Sequence, residues 1–215
     1  MIAIVDYDAG NLHSVSKALE RVGHAAEVTS AWRDILRADG VVLCGVGAAG
    51  AAMRNLHRRD LVAPLKEFVA RGRPFLGVCL GLQVCMDGSE EDGGVECLGL
   101  LPGTVRLLPG GPGLKIPHMG WNAVHLLRPR PELAGIADGS YFYFVHAYVV
   151  EPADRGAVVG TTEHGVTFPS VVARDNLLAT QFHPEKSAAD GLMIYANFGR
   201  LCLTRADAAP LAVGS

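Results

Sequence analysis

Apolar runs and helical patterns alternate along the first half of the chain. Short apolar runs at residues 2–5, 41–43 and 74–78 predict buried strands. Between them lie two sets of apolar residues at helical spacing, which predict amphipathic helices: Leu12, Val15, Leu19 and Val22, then Leu61, Leu65, Phe68 and Val69. Because strands that alternate with helices favour parallel pairing, this half predicts a parallel sheet.

The second half of the chain is richer in strand signals. Strands are predicted at residues 104–108, 121–127, 141–150, 157–161, 170–173 and 177–182, with turn residues between them. A last helix is predicted at residues 189–203, followed by an Ala-rich tail at residues 204–215 that we expect to fray. We therefore expect one α/β domain over residues 1–203. Its central, mostly parallel sheet would carry helices on both faces and additional antiparallel strands.

Composition and charge exclude several classes of protein. With 215 residues, 49% hydrophobic and 19% charged, the chain is long enough for one well-buried domain and too apolar for overall disorder. The formal net charge of -3 leaves no electrostatic footprint for nucleic acid. No apolar run approaches the ~20 residues of a membrane span. The N-terminus has no basic leader, so we expect a protein that is not secreted.

The cysteines indicate reduced thiols rather than cross-links. Their number is odd and no pair has the C-x-x-C spacing, so neither a disulfide framework nor a zinc site is predicted for Cys44, Cys79, Cys85, Cys97 and Cys202. We expect a cytoplasmic protein that uses no metal and no other cofactor.

One of these cysteines stands in a motif for nucleophilic catalysis. Residues 77–81 read Gly-Val-Cys-Leu-Gly, with an apolar strand before them and a helix-compatible segment after them. This Gly-x-nucleophile-x-Gly elbow, with Cys79 in place of serine, predicts a thiol that attacks an acyl carbon. The Leu80 N–H, at the start of the helix, is a candidate oxyanion donor. The alternative is a buried cysteine in a glycine-flanked turn.

Two further segments supply candidate partners for Cys79. His183 and Glu185 follow the predicted strand at residues 177–182; an imidazole suits proton transfer near neutral pH, and a carboxylate can orient it. The Gly45-Val46-Gly47 turn follows another strand, and its N–H groups could complete an oxyanion hole. Both segments lie at carboxyl ends of strands, where open α/β sheets place their sites. A surface turn and an ordinary strand-to-helix turn are the alternatives. Five other histidines are expected to be exposed or structural: His13, His24, His57, His125 and His164.

Together these segments resemble the class I glutamine amidotransferases, which use a Cys-His-Glu triad in a flavodoxin-like domain. The matching stretches are residues 77–83 around Cys79 and residues 181–187 around His183. Within that family, the chain is similar to the glutaminase subunits of imidazole glycerol phosphate synthases. This similarity rests on four stretches: residues 6–12, 45–47, 117–122 (Pro-His-Met-Gly-Trp-Asn) and 143–148. The resemblance runs from residue 2 to about residue 203.

The resemblance implies glutamine hydrolysis to glutamate and ammonia. Cys79 would attack the side-chain amide carbon, His183 would transfer protons, and Glu185 would hold the imidazole. Glutamine would be held by the Gln83 side chain and by the backbone of Ala147 and Tyr148. The ammonia would pass to a (β/α)8-barrel cyclase subunit in a heterodimer. That subunit would form imidazole glycerol phosphate and an aminoimidazole carboxamide ribotide in histidine biosynthesis.

The resemblance also implies which residues face the cyclase: Asn11, Met119, Trp121 and Lys186. Met119 and Trp121 are expected in a loop, where apolar and aromatic side chains suit an interface better than a solvated turn. A core position for Trp121 is the alternative.

Cys44 departs from the family pattern. The turn after this strand usually reads Pro-Gly-Val-Gly; Cys44 replaces the proline, and Ala49 replaces a common aromatic residue. Since proline fixes φ and lacks an N–H donor, we expect basal glutaminase activity to differ from that of a proline-bearing relative. A thiol at this position could also compete with Cys79 for thiol reagents.

Other functions remain open from the residues alone. A different triad amidotransferase, such as one that serves pyridoxal phosphate or anthranilate synthesis, would share the elbow and the His-Pro-Glu segment, although residues 117–122 argue against it. A non-catalytic binding subunit would keep the fold without turnover. A free-standing cysteine hydrolase of peptides or γ-glutamyl bonds would be fully active without a partner.

Overall fold

The structure, a computed structural model, describes residues 1–111 and 113–206. These ranges contain six α-helices and thirteen strands, joined by loops and short 3-10 turns. In chain order they are β1 (Ile2–Val5), α1 (Leu12–Arg21), β2 (Ala26–Thr29), α2 (Trp32–Arg37), β3 (Gly40–Gly45), α3 (Ala49–Arg58), α4 (Val62–Ala70), β4 (Phe75–Cys79), α5 (Leu80–Val84), β5 (Gly88–Ser89), β6 (Val95–Glu96), β7 (Gly103–Leu107), β8 (His118–Leu126), β9 (Ser140–His146), β10 (Tyr148–Pro152), β11 (Val158–His164), β12 (Val166–Arg174), β13 (Leu177–Thr180) and α6 (Ala188–Ala206).

The strands form two sheets. The larger sheet has the order β2-β1-β3-β4-β13-β12-β11-β8-β9. Pairing is parallel from β2 through β13 and antiparallel from β13 to β9. The smaller sheet has the order β10-β7-β5-β6. This architecture confirms the α/β fold class, with a parallel half and antiparallel additions.

Helices cover both faces of the parallel half because its strands are buried on both sides. Along β1, Ala3 and Val5 pack in one core cluster with residues of α2, α3, α4 and α5. Ile2 and Ile4 pack in the other cluster with residues of α1 and α6. Successive side chains of a strand point to opposite faces. The continuous apolar run at residues 2–5 is therefore what a doubly covered strand requires.

The predicted single strand at residues 141–150 is wrong. The chain leaves the large sheet after His146 and enters the small sheet at Tyr148, so β9 and β10 are separate strands. The Ala147 carbonyl between them accepts a hydrogen bond from the Leu108 N–H at 2.8 Å. Both halves of the segment are apolar and favour strands, so the local pattern carries no sign of the change of sheet.

The last helix is longer than its sequence pattern predicts. It begins at Ala188 and ends at Ala206, so residues 204–206 of the segment expected to fray are helical. The rest of that predicted tail, residues 207–215, lies outside the described residues. None of the helices in the described ranges combines the length and the apolarity of a membrane span.

Tyr7 leads to a prediction about stability. Its side chain is fully buried, and its hydroxyl has no hydrogen-bond partner among the described residues. A buried hydroxyl without a partner costs about 1–3 kcal/mol. We therefore expect Tyr7→Phe to raise the free energy of unfolding by about 1 kcal/mol, and Tm by roughly 2–4 °C, in thermal unfolding experiments.

Tyr195 provides the matched control for this substitution. Its buried hydroxyl donates to Glu185 Oε2 at 3.4 Å, so Tyr195→Phe should lower Tm by removing a formed hydrogen bond. If Tyr7→Phe lowers Tm to the same extent, the Tyr7 hydroxyl has a partner and the prediction fails.

Candidate active site

The carboxyl ends of β3, β4 and β13 meet at one edge of the large sheet. Gly45 of β3 pairs in register with Cys79 of β4. On the other side of β4 lies β13, which ends at Thr180, shortly before His183. Parallel pairing thus brings together the three segments that the sequence singles out.

Cys79 joins β4 to α5 in a backbone conformation that residues other than glycine rarely adopt. Its φ of 54° and ψ of -106° turn the chain sharply. A Cβ on Gly81 would lie 1.8 Å from the Leu43 carbonyl oxygen, and a Cβ on Gly77 would lie 2.9 Å from the Ala179 Cβ. Glycine is therefore required on both sides of Cys79, as in a nucleophile elbow.

Glu185 holds the imidazole of His183. The Nδ1 atom of His183 lies 2.8 Å from Glu185 Oε1, and both side chains are almost entirely buried. Tyr195 donates to the other carboxylate oxygen at 3.4 Å. The Nε2 atom of His183 has no hydrogen-bond partner among the described residues. It is thus the nitrogen left for Cys79 or a substrate.

The pKa of His183 is raised to about 9. Burial lowers this pKa, but the neighbouring Cys79 and the Glu185 carboxylate outweigh burial. Since Nε2 makes no hydrogen bond of ordinary geometry, we attribute the influence of Cys79 to its proximity rather than to a formed bond. His183 is therefore protonated at neutral pH, as a proton donor to a leaving amine must be.

Ser187 ties the His-Pro-Glu segment to β9. Its hydroxyl donates to the His183 carbonyl at 2.6 Å and accepts from the Tyr143 N–H at 3.0 Å. The His183 N–H in turn donates to the Tyr143 carbonyl at 2.9 Å. The antiparallel half of the sheet thus positions the imidazole. In the sequence, only membership of the 181–187 stretch marks Ser187.

Gln181 is a further site residue whose role has no separate sequence signal. Its side chain is fully buried, and its Nε2 lies 3.8 Å from Cys79 Sγ. Its Oε1 accepts from Gln83 Nε2 at 3.4 Å, and the same Gln83 nitrogen donates to the Tyr148 carbonyl at 3.1 Å. The sulfur also lies 4.0 Å from the Val145 carbonyl oxygen. The nucleophile is thus enclosed between the end of β13 and β9.

A cavity of about 290 Å³ opens beside Cys79. Most of the predicted substrate-binding residues line it: Val46, Gly47, Leu80, Gln83, Ala147 and Tyr148. The rest of the lining consists of Cys79 itself, Glu91, Pro117, Val145 and His146. Gly45 is not in the lining, but a Cβ there would lie 1.9 Å from the Tyr7 hydroxyl. A larger cavity of about 650 Å³ at residues 126–136 has no cysteine, serine or histidine in its lining.

Glu91 brings negative charge to the cavity. Its carboxylate accepts a hydrogen bond at 2.7 Å from the Ala49 N–H, at the start of α3. Desolvation raises the pKa of Tyr148, and the charges of Glu91, Asp92 and Glu90 raise it further. This side of the cavity therefore suits a ligand that carries an ammonium group.

Cys44 is buried in β3 and is a poor competitor for thiol reagents. Burial raises the pKa of its thiol to about 12, and the charge of Glu185 acts in the same direction. Since the thiolate is the reactive form of cysteine, the structure argues against the competition with Cys79 that proximity alone suggests.

The predicted interface residues lie around the site, but Met119 and Trp121 are not in a loop. Both belong to β8, with 64% and 53% of their surface exposed, so the loop placement and the core alternative are both wrong. Trp121 packs edge-to-face on Tyr143, with 6.4 Å between ring centroids, and Lys186 Nζ lies 5.6 Å from the same ring. Asn11 precedes α1, and its side chain makes no capping hydrogen bond.

The raised pKa of His183 predicts how stability depends on pH. An unfolded imidazole has a pKa of about 6.5. The folded state binds the proton more tightly, so the stabilisation is fully present below about pH 6.5 and is lost as pH rises through about 9. Between these values we expect the free energy of unfolding, measured with urea, to fall more steeply for wild type than for His183→Gln. Parallel pH profiles would contradict the raised pKa.

Comparisons with known proteins agree with this geometry. The family model described as glutamine amidotransferase class-I matches residues 3–200. An imidazole glycerol phosphate synthase subunit HisH from Moorella thermoacetica is 51% identical over 200 residues, which cover 93% of this chain and 94% of the relative. A protein of the same name from Dehalococcoides mccartyi is 47% identical over 203 residues, which cover 94% of this chain and 98% of the relative.

Solved structures share the fold at low sequence identity. A crystal structure of a glutamine amidotransferase has a TM-score of 0.74 at 17% identity and covers 94% of this chain and 99% of its own. The glutaminase domain of a CTPS from Trypanosoma brucei, with bound acivicin, has a TM-score of 0.63 at 20% identity and covers 94% of this chain and 93% of its own. Because the family model spans most of its residues and the curated relatives match nearly all of its length, the chain belongs to the class I glutamine amidotransferases.

Proposed function

We propose that the chain is the glutaminase subunit of an imidazole glycerol phosphate synthase, hydrolysing glutamine to glutamate and ammonia for histidine biosynthesis. The observation that carries the proposal is Cys79 in a strained elbow beside a cavity, with the His183–Glu185 pair at the end of the adjacent strand. Relatives that bear the name of this synthase subunit, at 47–51% identity, favour this amidotransferase over those of pyridoxal phosphate or anthranilate synthesis.

Each step of the proposed reaction uses a group at the site. Cys79 Sγ attacks the side-chain amide carbon of glutamine, while N–H groups of Leu80 and of residues 45–47 stabilise the charge on the amide oxygen. His183 Nε2 gives its proton to the departing nitrogen, so ammonia leaves and a glutamyl thioester remains. His183 then takes a proton from water, which attacks the thioester and releases glutamate. The sulfur leaves without taking up a proton, so the sulfur and the protonated imidazole return to the state in which the cycle began. Glu185 holds the imidazole throughout.

Glutamine binds in the cavity beside Cys79 in this proposal. The Tyr148 carbonyl already accepts from Gln83 and His146, which uses both its lone pairs. Among the described residues the Ala147 carbonyl accepts only from the Leu108 N–H, so one lone pair is left for a donor of the substrate. The Glu91 carboxylate lines the same cavity and provides a charged acceptor for the α-ammonium group.

The outer face of β8 and β9 is the proposed docking surface for a (β/α)8-barrel cyclase subunit in a heterodimer. Met119, Trp121 and Tyr141 are exposed there, and Lys186 lies beside them. A cluster of aromatic and apolar side chains next to a cation is typical of an interface. The carbonyl of Val145, also on β9, is close to Cys79, so ammonia would be released next to the partner. We place this complex in the cytoplasm.

Cys79→Ser tests the nucleophile. In a complex with a candidate cyclase and its nucleotide ligand, we expect this variant to lose glutamine-dependent synthesis by at least about 10³-fold. It should still use added ammonium salts at raised pH, because the cyclase reaction needs only ammonia. Cys202→Ser makes the same change at another buried free thiol and should keep glutamine use.

The same assay separates the alternatives. Glutamine-dependent synthesis by Cys79→Ser would exclude Cys79 as the nucleophile. Strong turnover by the isolated chain would favour a free-standing hydrolase, and the absence of turnover in every combination would favour a binding subunit. The effect of Cys44 on basal activity stays a prediction, which a comparison with a proline-bearing relative measures.

Trp121→Ala tests the docking surface. We expect it to weaken cyclase binding by roughly 30-fold or more, because exposed tryptophans at interfaces often contribute at least 2 kcal/mol. Its effect on the stability of the isolated chain should be small, since the side chain is half-exposed. Trp32→Ala removes the other tryptophan, exposed on α2, and is the control. Equal affinities of the two variants in binding titrations would refute this surface.

A further inference from the structure

Two buried histidines beside the cavity have no part in the proposed reaction. His118 lies in β8 and His146 in β9, and the two residues pair in register. His146 lines the cavity. The Nδ1 atom of His118 lies 2.9 Å from Nε2 of His146, so the two rings share one hydrogen bond.

A backbone carbonyl determines which nitrogen of His146 carries its proton. Nδ1 of His146 lies 2.9 Å from the Tyr148 carbonyl oxygen, which can only accept, so Nδ1 is the donor. In a neutral imidazole the other nitrogen is an acceptor. Nε2 of His146 therefore accepts from the Nδ1–H of His118, and Nε2 of His118 is in turn an acceptor.

Asn122 provides the donor that His118 requires. Its Nδ2 lies 3.2 Å from His118 Nε2 and 2.8 Å from the Glu163 carbonyl oxygen, while its Oδ1 accepts from the Ala123 N–H at 2.8 Å. Both amide protons and the amide oxygen thus have partners in a single orientation. Along this series each residue donates to the next: Asn122 to His118, His118 to His146, and His146 to the Tyr148 carbonyl.

This arrangement requires both imidazoles to be neutral, because a second proton on either ring would set two N–H groups against each other. Burial lowers the pKa of His118 to about 4. Burial also lowers the pKa of His146 to about 3, against the effect of its hydrogen bond to Tyr148. His164, stacked on His118 with 4.1 Å between centroids, acts in the same direction on both rings, and His183 does so on His146.

The chain of hydrogen bonds ends on the wall of the cavity. The Tyr148 carbonyl accepts from both His146 Nδ1 and Gln83 Nε2, which uses both its lone pairs. Gln83 Nε2 also reaches Gln181, whose own amide nitrogen lies 3.8 Å from Cys79 Sγ. Loss of the His146 donor would remove a hydrogen bond that holds the backbone between β9 and β10, where Ala147 and Tyr148 line the cavity.

We propose that Asn122, His118 and His146 form a directed hydrogen-bond relay that positions Gln83 and the backbone of Ala147 and Tyr148 for glutamine binding. The inference rests on the proposed function, which supplies the substrate. Both histidines are positioning residues, since they act through the Tyr148 carbonyl and Gln83 rather than on the reacting atoms.

Paired substitutions at His146 separate positioning from packing. Asparagine places its amide nitrogen near the position of Nδ1 and keeps a donor to Tyr148, whereas glutamine places it near Nε2 and loses that donor. In the complex with the cyclase, we expect His146→Gln to raise the KM for glutamine roughly tenfold with little change in kcat, and His146→Asn to stay within about threefold of wild type. The control is His57→Gln, an exposed histidine of α3 outside the proposed docking surface.

Nitrogen NMR of the imidazoles in the full chain tests the relay without any activity. At neutral pH we expect Nδ1–H tautomers of both histidines, and scalar coupling between His118 Nδ1 and His146 Nε2 that persists down to about pH 5. A cationic His146, or its Nε2–H tautomer, would overturn the relay.

The two experiments together decide the role of the relay. If the coupling is seen but His146→Gln keeps the wild-type KM, the positioning role is overturned. If wild type uses no glutamine at all, the proposed function fails, and the tautomers still decide the relay.

Discussion

The close approach of α5 to β3 is the constraint on which the site depends. At Gly81 a hydrogen atom fits where a Cβ would lie 1.8 Å from the Leu43 carbonyl oxygen. This contact lets α5 begin directly after Cys79 and holds that residue at a φ of 54°. Cys79 consequently lies at the carboxyl edge of the sheet, paired with Gly45, where its buried side chain lines the cavity. The strained conformation of Cys79 persists because the close packing at Gly77 and Gly81 fixes the backbone on both sides of it.

β9, the edge strand of the antiparallel half, contacts the residues of the site that follow the parallel strands. The parallel half supplies Cys79 and His183, but the Tyr143 backbone and Ser187 fix the segment that carries the imidazole. In the same strand, the Val145 carbonyl oxygen lies near the sulfur of Cys79, and the Tyr141 side chain is exposed on the outer face. A protein that docks on this face therefore binds a strand that already holds the base in place.

The parallel half of the fold could be predicted because its signals are local. A strand buried on both faces must be apolar throughout, and an amphipathic helix must repeat every three to four residues, so residues 2–5 and 61–69 are recognisable in isolation. Two elements of this half lack such a pattern: β2 has two exposed residues, and α2 has only six residues. The buried positions of α3 do recur at helical spacing, but several of them are alanine, whose small side chain gives a weak apolar signal. Where β9 passes into β10, the sequence favours a strand on both sides, so only pairing partners distinguish the two sheets.

The sequence by itself determined the family and the candidate triad, because the spacing of Gly-x-Cys-x-Gly and His-Pro-Glu is set by local backbone geometry. Tertiary structure alone decided the contacts between distant residues: Gln181 with Cys79, Ser187 with Tyr143, and His118 with His146. It also decided charge. His183 beside Glu185 has a pKa raised to about 9, whereas the pKa of His146, buried against a carbonyl, is lowered to about 3. Two residues of one type differ because burial disfavours a charge unless the fold brings an opposite charge to it.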